Sequence, residues 1–180
     1  MSYSIKEKGQ VFPIACVGKD QRAAIFHVHS EGEVPEEGGG VIEFRVRKSE
    51  KRPDSGNDDG HFFLLQLTPE HSSAWRIKNI GNQGFTEFQA TGVAHALLVA
   101  LADRYEIEIW SQKSGRKKES APSGRTLQGS RHRIESGGEN ERNELATKMW
   151  AKIQARLDKH QVIYDEFEDL FKLGKRDKSH

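Results

Sequence analysis

The sequence predicts an α+β domain with a mixed, mostly antiparallel sheet flanked by helices. Three observations support this fold class. Short runs of alternating apolar and polar residues, typical of half-buried strands, fill most of the first 80 residues. Apolar residues recur at helical spacing over residues 91–105 and again over 139–157. Strand-like segments follow each of these helices, and that order favours a parallel strand pair across the first one.

The individual strands are predicted from alternation and from β-branched and aromatic residues. Five precede the first helix, at 10–17, 23–29, 41–48, 62–68 and 74–80. Polar segments rich in glycine or proline predict connections at 31–40, 49–60 and 69–73. A further strand is predicted at 106–111. Residues 161–173 fit one or two strands, or a strand and a short helix.

The composition indicates one domain and excludes several classes of protein. The chain has 180 residues, a net charge of +1 and a single cysteine, Cys16, which excludes an internal disulfide framework. No signal-peptide pattern is present, and no segment approaches the roughly 20 apolar residues of a membrane helix. We expect a single domain over 1–173 with a disordered tail at 174–180, in a cytoplasmic protein without a membrane partner. The oligomeric state stays open.

A long segment of low hydrophobicity, residues 112–138, interrupts this domain. Between Lys113 and Arg133 it carries seven lysines and arginines against one acidic residue, Glu119. Such a segment can contact nucleic acid or an acidic protein, although it has no aromatic residue on which a base could stack. A solvated insertion is the favoured alternative.

The most informative motif, Phe88-Gln-Ala-Thr-Gly92-Val-Ala94, lies at the start of the first predicted helix. Unpaired amides and the helix dipole make such a position favourable for an anion. Gly92 and Ala94 would let a phosphate approach the main chain closely. The motif therefore predicts a phosphate site. An explanation of about equal weight is that Gly92 only allows the helix to pack tightly on the sheet.

The motif and the order of elements resemble those of the Gcn5-related N-acetyltransferase (GNAT) family, in divergent form. The resemblance covers about residues 41–173 and includes Gln89, Gly92 and Ala94 in a Q-x-x-G-x-A pattern, and Asn143-x-x-Ala146-x-x-x-Trp150 on the next helix. It implies a sheet with splayed parallel strands and acetyl-CoA as the cofactor. It also implies that the pyrophosphate is held by Gln89, Ala90, Thr91, Gly92, Val93 and Ala94, and the pantetheine by Asn143.

The implied activity is acetyl-CoA-dependent transfer to an amine that the sequence does not identify. Such a reaction needs a base and an acid. The sequence offers several of each, and spacing singles out none: Glu43, Glu87, His95, Glu106 and Glu108 as bases, Tyr105 and Tyr164 as acids. We take Glu87 and Tyr105 as the candidates. Trp150 stands where the family usually has a tyrosine that protonates the leaving thiolate. An indole N–H cannot take this role, because it does not titrate near neutral pH. Whether the chain is an enzyme therefore stays open. One alternative is a non-catalytic GNAT-like module that contacts nucleic acid or a protein through the basic insertion. Another is an unrelated α+β protein in which the motif is a coincidence.

Three histidines raise the question of a metal site. His27 and His29 share one face of a predicted strand, and His61 could be a third ligand. A metal site usually has three or four ligands at recognisable spacing, and no carboxylate or cysteine partner is evident here. We therefore interpret them as surface histidines and predict no metal site.

Overall fold

The computed structural model describes residues 4–35, 40–51, 60–113, 144–154 and 159–175. These residues confirm an α+β fold with one large, mostly antiparallel sheet. Its strands are β1 (Val11–Val17), β2 (Ala23–Val34), β3 (Val41–Arg47), β4 (Phe63–His71), β5 (Ala74–Gly81), β6 (Glu108–Trp110), β7 (His160–Asp165) and β8 (Leu170–Lys175). The helices are α1 (Val93–Tyr105), preceded by a single 3₁₀ turn at Thr86–Phe88, and α2 (Glu144–Gln154).

The strand order is β1-β2-β3-β4-β5-β6-β8-β7. Neighbouring strands are antiparallel except for β5 and β6, which are parallel and are connected through α1. The predicted parallel pair across the first helix is therefore present. The strand order follows the sequence except for β8, which lies between β6 and β7.

The core lies between one face of this sheet and the helices. Alternate strand residues such as Phe44, Leu65 and Ile109 are fully buried, as are Leu97 and Leu101 of α1. Because α1 contacts β1 at one end of the sheet and β8 near the other, the sheet curls around this helix. In α2, Trp150 is 1% exposed and stacks on Phe171 of β8, with ring centroids 5.9 Å apart.

Three strands are longer than the sequence predicts, because the pairing depends on a neighbouring strand. β2 continues to Val34 through the predicted loop, with a bulge between Ser30 and Gly32 that keeps it paired to β3. β4 passes through Pro69, whose pairing partner is Trp75 of β5. β8 continues to Lys175, so two residues of the predicted tail belong to the sheet. Of the predicted insertion at 112–138, only residues 112 and 113 lie within the described part of the chain.

Candidate functional site

The predicted phosphate motif forms a tight connection into α1. Gly92 is the residue before the helix and has a positive φ of 77°. A Cβ atom at this position would lie 2.6 Å from the carbonyl oxygen of Val17 in β1. Ala90 also has a positive φ, 57°, and its carbonyl accepts a hydrogen bond from the Lys19 amide at 3.1 Å. The motif is thus fastened to the turn between β1 and β2, and packing on β1 is sufficient to require a glycine at position 92.

The helix start offers amides in the position that the motif predicts. The hydrogen-bond ladder of α1 begins where the Ala96 amide donates to the Gly92 carbonyl at 3.1 Å, so the amides of residues 93–95 precede it. The Val93 amide lies 3.4 Å from the Thr91 hydroxyl, which itself donates to the Phe88 carbonyl at 2.8 Å. Among the described residues, the Ala94 amide has no hydrogen-bond acceptor. Since it carries part of the positive end of the helix dipole, it is suited to an anion.

The two parallel strands separate beyond their first residues. β5 and β6 pair at three positions only, the last being Arg76 with Trp110. Beyond this point the chain follows β8, since the Ser111 amide donates to the Phe171 carbonyl at 2.8 Å. The link back to β5 is a side chain, because Gln112 Nε2 donates to the Lys78 carbonyl at 2.6 Å. We call this opening between residues 77–81 and 111–112 the fork.

The fork includes two residues that the sequence did not single out. The pairing of β4 with β5 shifts register between Gln66 and Leu67, which leaves Lys78 as an extra residue in β5. This bulge presents the carbonyl that Gln112 binds. A bulge and a bridging glutamine have no signature in a single sequence, because both depend on the register of neighbouring strands.

Glu87, the candidate base, lies in the 3₁₀ turn just before the motif. Its carboxylate is engaged by two cationic or potentially cationic side chains, Lys48 Nζ at 3.0 Å and His61 Nδ1 at 3.2 Å. The His61 ring stacks on Phe85, with centroids 4.3 Å apart. Glu87 therefore belongs to an ion-pair cluster beside the phosphate end of the predicted site.

Tyr105, the candidate acid, lies at the far end of α1. The helix has 13 residues, so at about 1.5 Å per residue its two ends are roughly 20 Å apart. The Tyr105 hydroxyl donates to Gln10 Oε1 at 3.1 Å, and burial raises the pKa of its hydroxyl above the ordinary value. The structure does not bring Tyr105 together with Glu87 or with the phosphate motif.

Three groups of candidates remain: those outside the described residues, Lys113 at the start of the insertion, and Trp150. Asn143 and the basic residues of the insertion after Lys113 lie outside the described residues. Lys113 itself forms an ion pair with Glu168, with Nζ and Oε2 2.6 Å apart. Trp150, which the resemblance aligns with a tyrosine that acts as an acid, has its ring in the core.

The histidines do not form a metal site in the part of the chain that is described. No three histidine, cysteine, aspartate or glutamate side chains are gathered there closely enough to hold a metal ion. The interpretation of His29 as a surface residue is wrong, because it is fully buried, with Nε2 3.0 Å from the Ser49 carbonyl oxygen. The segment that follows β3 covers this position, which the alternation within β2 does not reveal.

Comparison with known proteins does not assign the chain to a family. No family model, no curated protein and no solved structure matches it. Within the described ranges, the helices are all too short or too polar to cross a bilayer.

Proposed function

We propose that this chain binds acetyl-CoA in the manner of a divergent GNAT-like domain and transfers the acetyl group to an amine. The observation that carries the proposal is the fork. A parallel strand pair connected by α1 opens after three residue pairs, at the side of the sheet from which the chain enters the helix.

The two ends of this region suit the two chemically different parts of the cofactor. The Ala94 amide and the helix dipole favour the pyrophosphate. Lys19 adds a positive charge next to the motif, because its side chain is exposed and its main-chain amide donates a hydrogen bond to the Ala90 carbonyl. The fork would receive the pantetheine arm, whose amides need main-chain partners of the kind that separated strands leave available. Gln112 would have to release the Lys78 carbonyl, or to bind the arm itself.

The described residues support positioning of the thioester more than acid–base chemistry. Holding thioester and amine together contributes to the rate by itself, since it replaces an encounter in solution. Glu87 is ion-paired with Lys48, and Tyr105 lies at the other end of α1. We therefore expect turnover only with amines that are substantially neutral at the assay pH, and a rate that rises as the pH approaches the pKa of the amine.

Isothermal titration calorimetry with acetyl-CoA tests the site. The informative pair of variants is Ala94→Glu and Ala94→Gln, which place side chains of similar size at the helix start and differ in charge. We expect micromolar binding to the wild-type chain and weaker binding by both variants, because each fills space that the small Ala94 leaves open. The loss should be at least tenfold greater in Ala94→Glu than in Ala94→Gln, because only the carboxylate repels the pyrophosphate.

Circular dichroism and thermal unfolding of both variants supply the control for folding. Ala94 is half-buried against the core, so both variants carry a similar steric cost, and the glutamate alone gains from its place in the first turn of the helix. We therefore expect Ala94→Glu to be at least as stable as Ala94→Gln. Equal affinities of the two variants, or no binding by the wild-type chain, would contradict the proposed phosphate site.

A second candidate function is binding without catalysis. It is favoured by the burial of Trp150 and by the ion pairs of Glu87, which leave no free acid–base pair among the described residues near the fork. A thiol-release assay with acetyl-CoA and a panel of amines distinguishes the two functions. Binding without thiol release would support a module that contacts a protein or nucleic acid, which can be sought by pull-down with and without residues 114–138.

A further inference from the structure

A groove lies on the outer side of α1, where the two ends of the curled sheet face each other. Its volume is about 640 Å³, within the usual range of about 300–1,000 Å³ for binding pockets. One wall is β1, the first strand of the sheet, from Pro13 to Val17. Lys159 and His160, at the start of the outermost strand β7, line the other side.

The β1 wall presents unpaired main-chain groups to the groove. The Ser30 amide donates to the Gln10 carbonyl at 2.9 Å, and the Gly18 amide donates to the Arg22 carbonyl at 3.0 Å. Because main-chain groups of successive strand residues point to opposite edges, even-numbered residues of β1 face β2. The odd-numbered residues, Pro13 and Ala15 among them, therefore face the free edge. Pro13, which has no N–H to leave unpaired, occupies a position typical of edge strands.

Both ends of β1 are linked to α1 or to the residue before it. At one end Gln10 Oε1 accepts hydrogen bonds from Tyr105 and Arg104, at 3.1 and 3.3 Å. At the other end the Val17 carbonyl packs against Gly92. Between these attachments, the Pro13 carbonyl and the Ala15 amide and carbonyl have no hydrogen-bond partner among the residues described. Among the described residues, the β1 wall of the groove is therefore an unpaired strand edge.

The floor of the groove consists of small apolar side chains of α1. Ala96, Val99 and Ala100 lie along one stripe of the helix and line the groove. Beyond them, Asp103 Oδ1 lies 3.0 Å from Nε2 of the buried His160, which joins the floor to the β7 side. Alanines at two of these positions leave room for another chain to lie between α1 and β1.

We propose that the groove binds an extended polypeptide segment of a partner protein, which adds to β1 as a further strand. An extended main chain is the ligand that complements a strand edge, since it supplies a donor and an acceptor at every second residue. Antiparallel addition is expected because it is the slightly more stable pairing. Small or aliphatic side chains at alternate positions would rest on Ala96, Val99 and Ala100. The groove reaches Gly92 and His95 at the start of α1, next to the proposed phosphate site, but strand addition to β1 does not itself require acetyl-CoA.

Selection from a phage-displayed library of linear heptapeptides, followed by fluorescence anisotropy with the enriched peptides, tests the proposal. We expect enriched peptides with small aliphatic residues at alternate positions.

Ala15→Pro removes the outward amide without affecting the pairing with β2, and should weaken binding about tenfold. Its matched control, Ala15→Ser, keeps the amide and should bind like the wild type. Ala100→Trp fills the groove and should weaken binding more than tenfold, whereas Ala100→Ser should not.

A measurement on the peptide keeps the test valid if a variant fails to fold. N-methylation at one set of alternate peptide residues should abolish binding, and methylation at the other set should affect it much less. No enrichment, equal binding by Ala15→Pro and wild type, or equal effects of the two methylation patterns would overturn the proposal. A dimer in light scattering that Ala15→Pro converts to a monomer would assign the groove to a second copy of the chain and also overturn it.

Discussion

At the scale of single residues, Gly92 shows how one close contact limits the choice of amino acid. Its φ of 77° lies in the left-handed region, and the Val17 carbonyl occupies the space that a side chain would need. Gly84 has a similar φ of 84°, but a Cβ atom there would meet nothing within 4 Å. Substituting each glycine in turn therefore separates the free-energy cost of the backbone conformation, which both share, from that of the contact, which only Gly92 has.

We expect Gly92→Ala to destabilise the chain more than Gly84→Ala. The conformation alone costs about 1–2 kcal/mol at either position. The contact with Val17 adds a further cost at position 92, because either β1 or the start of α1 must move. Urea unfolding followed by circular dichroism measures both variants. Equal losses would show that β1 can yield at this contact without cost.

At the scale of secondary structure elements, the apolar face of α2 packs on the sheet. This packing accounts for Trp150 without any catalytic role. Trp150 and Ile153 are each 1% exposed, and Trp150 stacks on Phe171 in β8. A tyrosine hydroxyl at position 150 would enter this apolar contact and not the fork. The resemblance to an acid-bearing helix is thus limited to the sequence pattern.

Trp150→Ala should cost about 3–5 kcal/mol in unfolding free energy, as is usual for the loss of a large buried aromatic ring. Trp150→Phe should cost less, because it keeps the stacking on Phe171. The control is Lys152→Ala, an exposed position on the same helix, where about 0.5 kcal/mol or less is expected. If Trp150→Tyr created or increased acetyl transfer, the assignment of this position to the core would be contradicted.

The elements also show how far a sequence determines this fold. The helix expected over 91–105 appears as Val93–Tyr105, because its apolar residues recur at one spacing within a single segment. The extension of β2 to Val34 and the bulge at Lys78 were not predictable, since both depend on hydrogen bonds to another strand. The same reason applies to the site. The predicted phosphate motif and the tight connection that it forms are local in sequence, whereas the fork and the separation of Glu87 from Tyr105 depend on the topology.

At the scale of the whole molecule, the accessibility of the Cys16 thiol is a measure of global unfolding. This thiol is fully buried in β1, and burial raises its pKa from 9.0 to about 11. At pH 8 only about one folded molecule in a thousand would carry the reactive thiolate.

We therefore expect Ellman's reagent to label Cys16 within seconds in denaturing urea, and at pH 8 without urea no faster than the chain unfolds. Rapid labelling without urea would show that the β1 edge opens locally. Because the pKa is higher in the folded state, the contribution of this group to stability falls as the pH rises from about 9 to about 11. Cys16→Ala should lack this part of the alkaline decline.

The position of β8 has a consequence for synthesis of the chain. This strand is the last of those described, yet it lies inside the sheet, between β6 and β7. While the ribosome is still making residues 170–175, the first five strands and α1 can already assemble, but β6 has an open edge and α1 lacks its contact with β8. The nascent chain thus exposes a strand edge and apolar helix surface until residue 175 has left the exit tunnel, and an open strand edge of this kind favours aggregation during that interval.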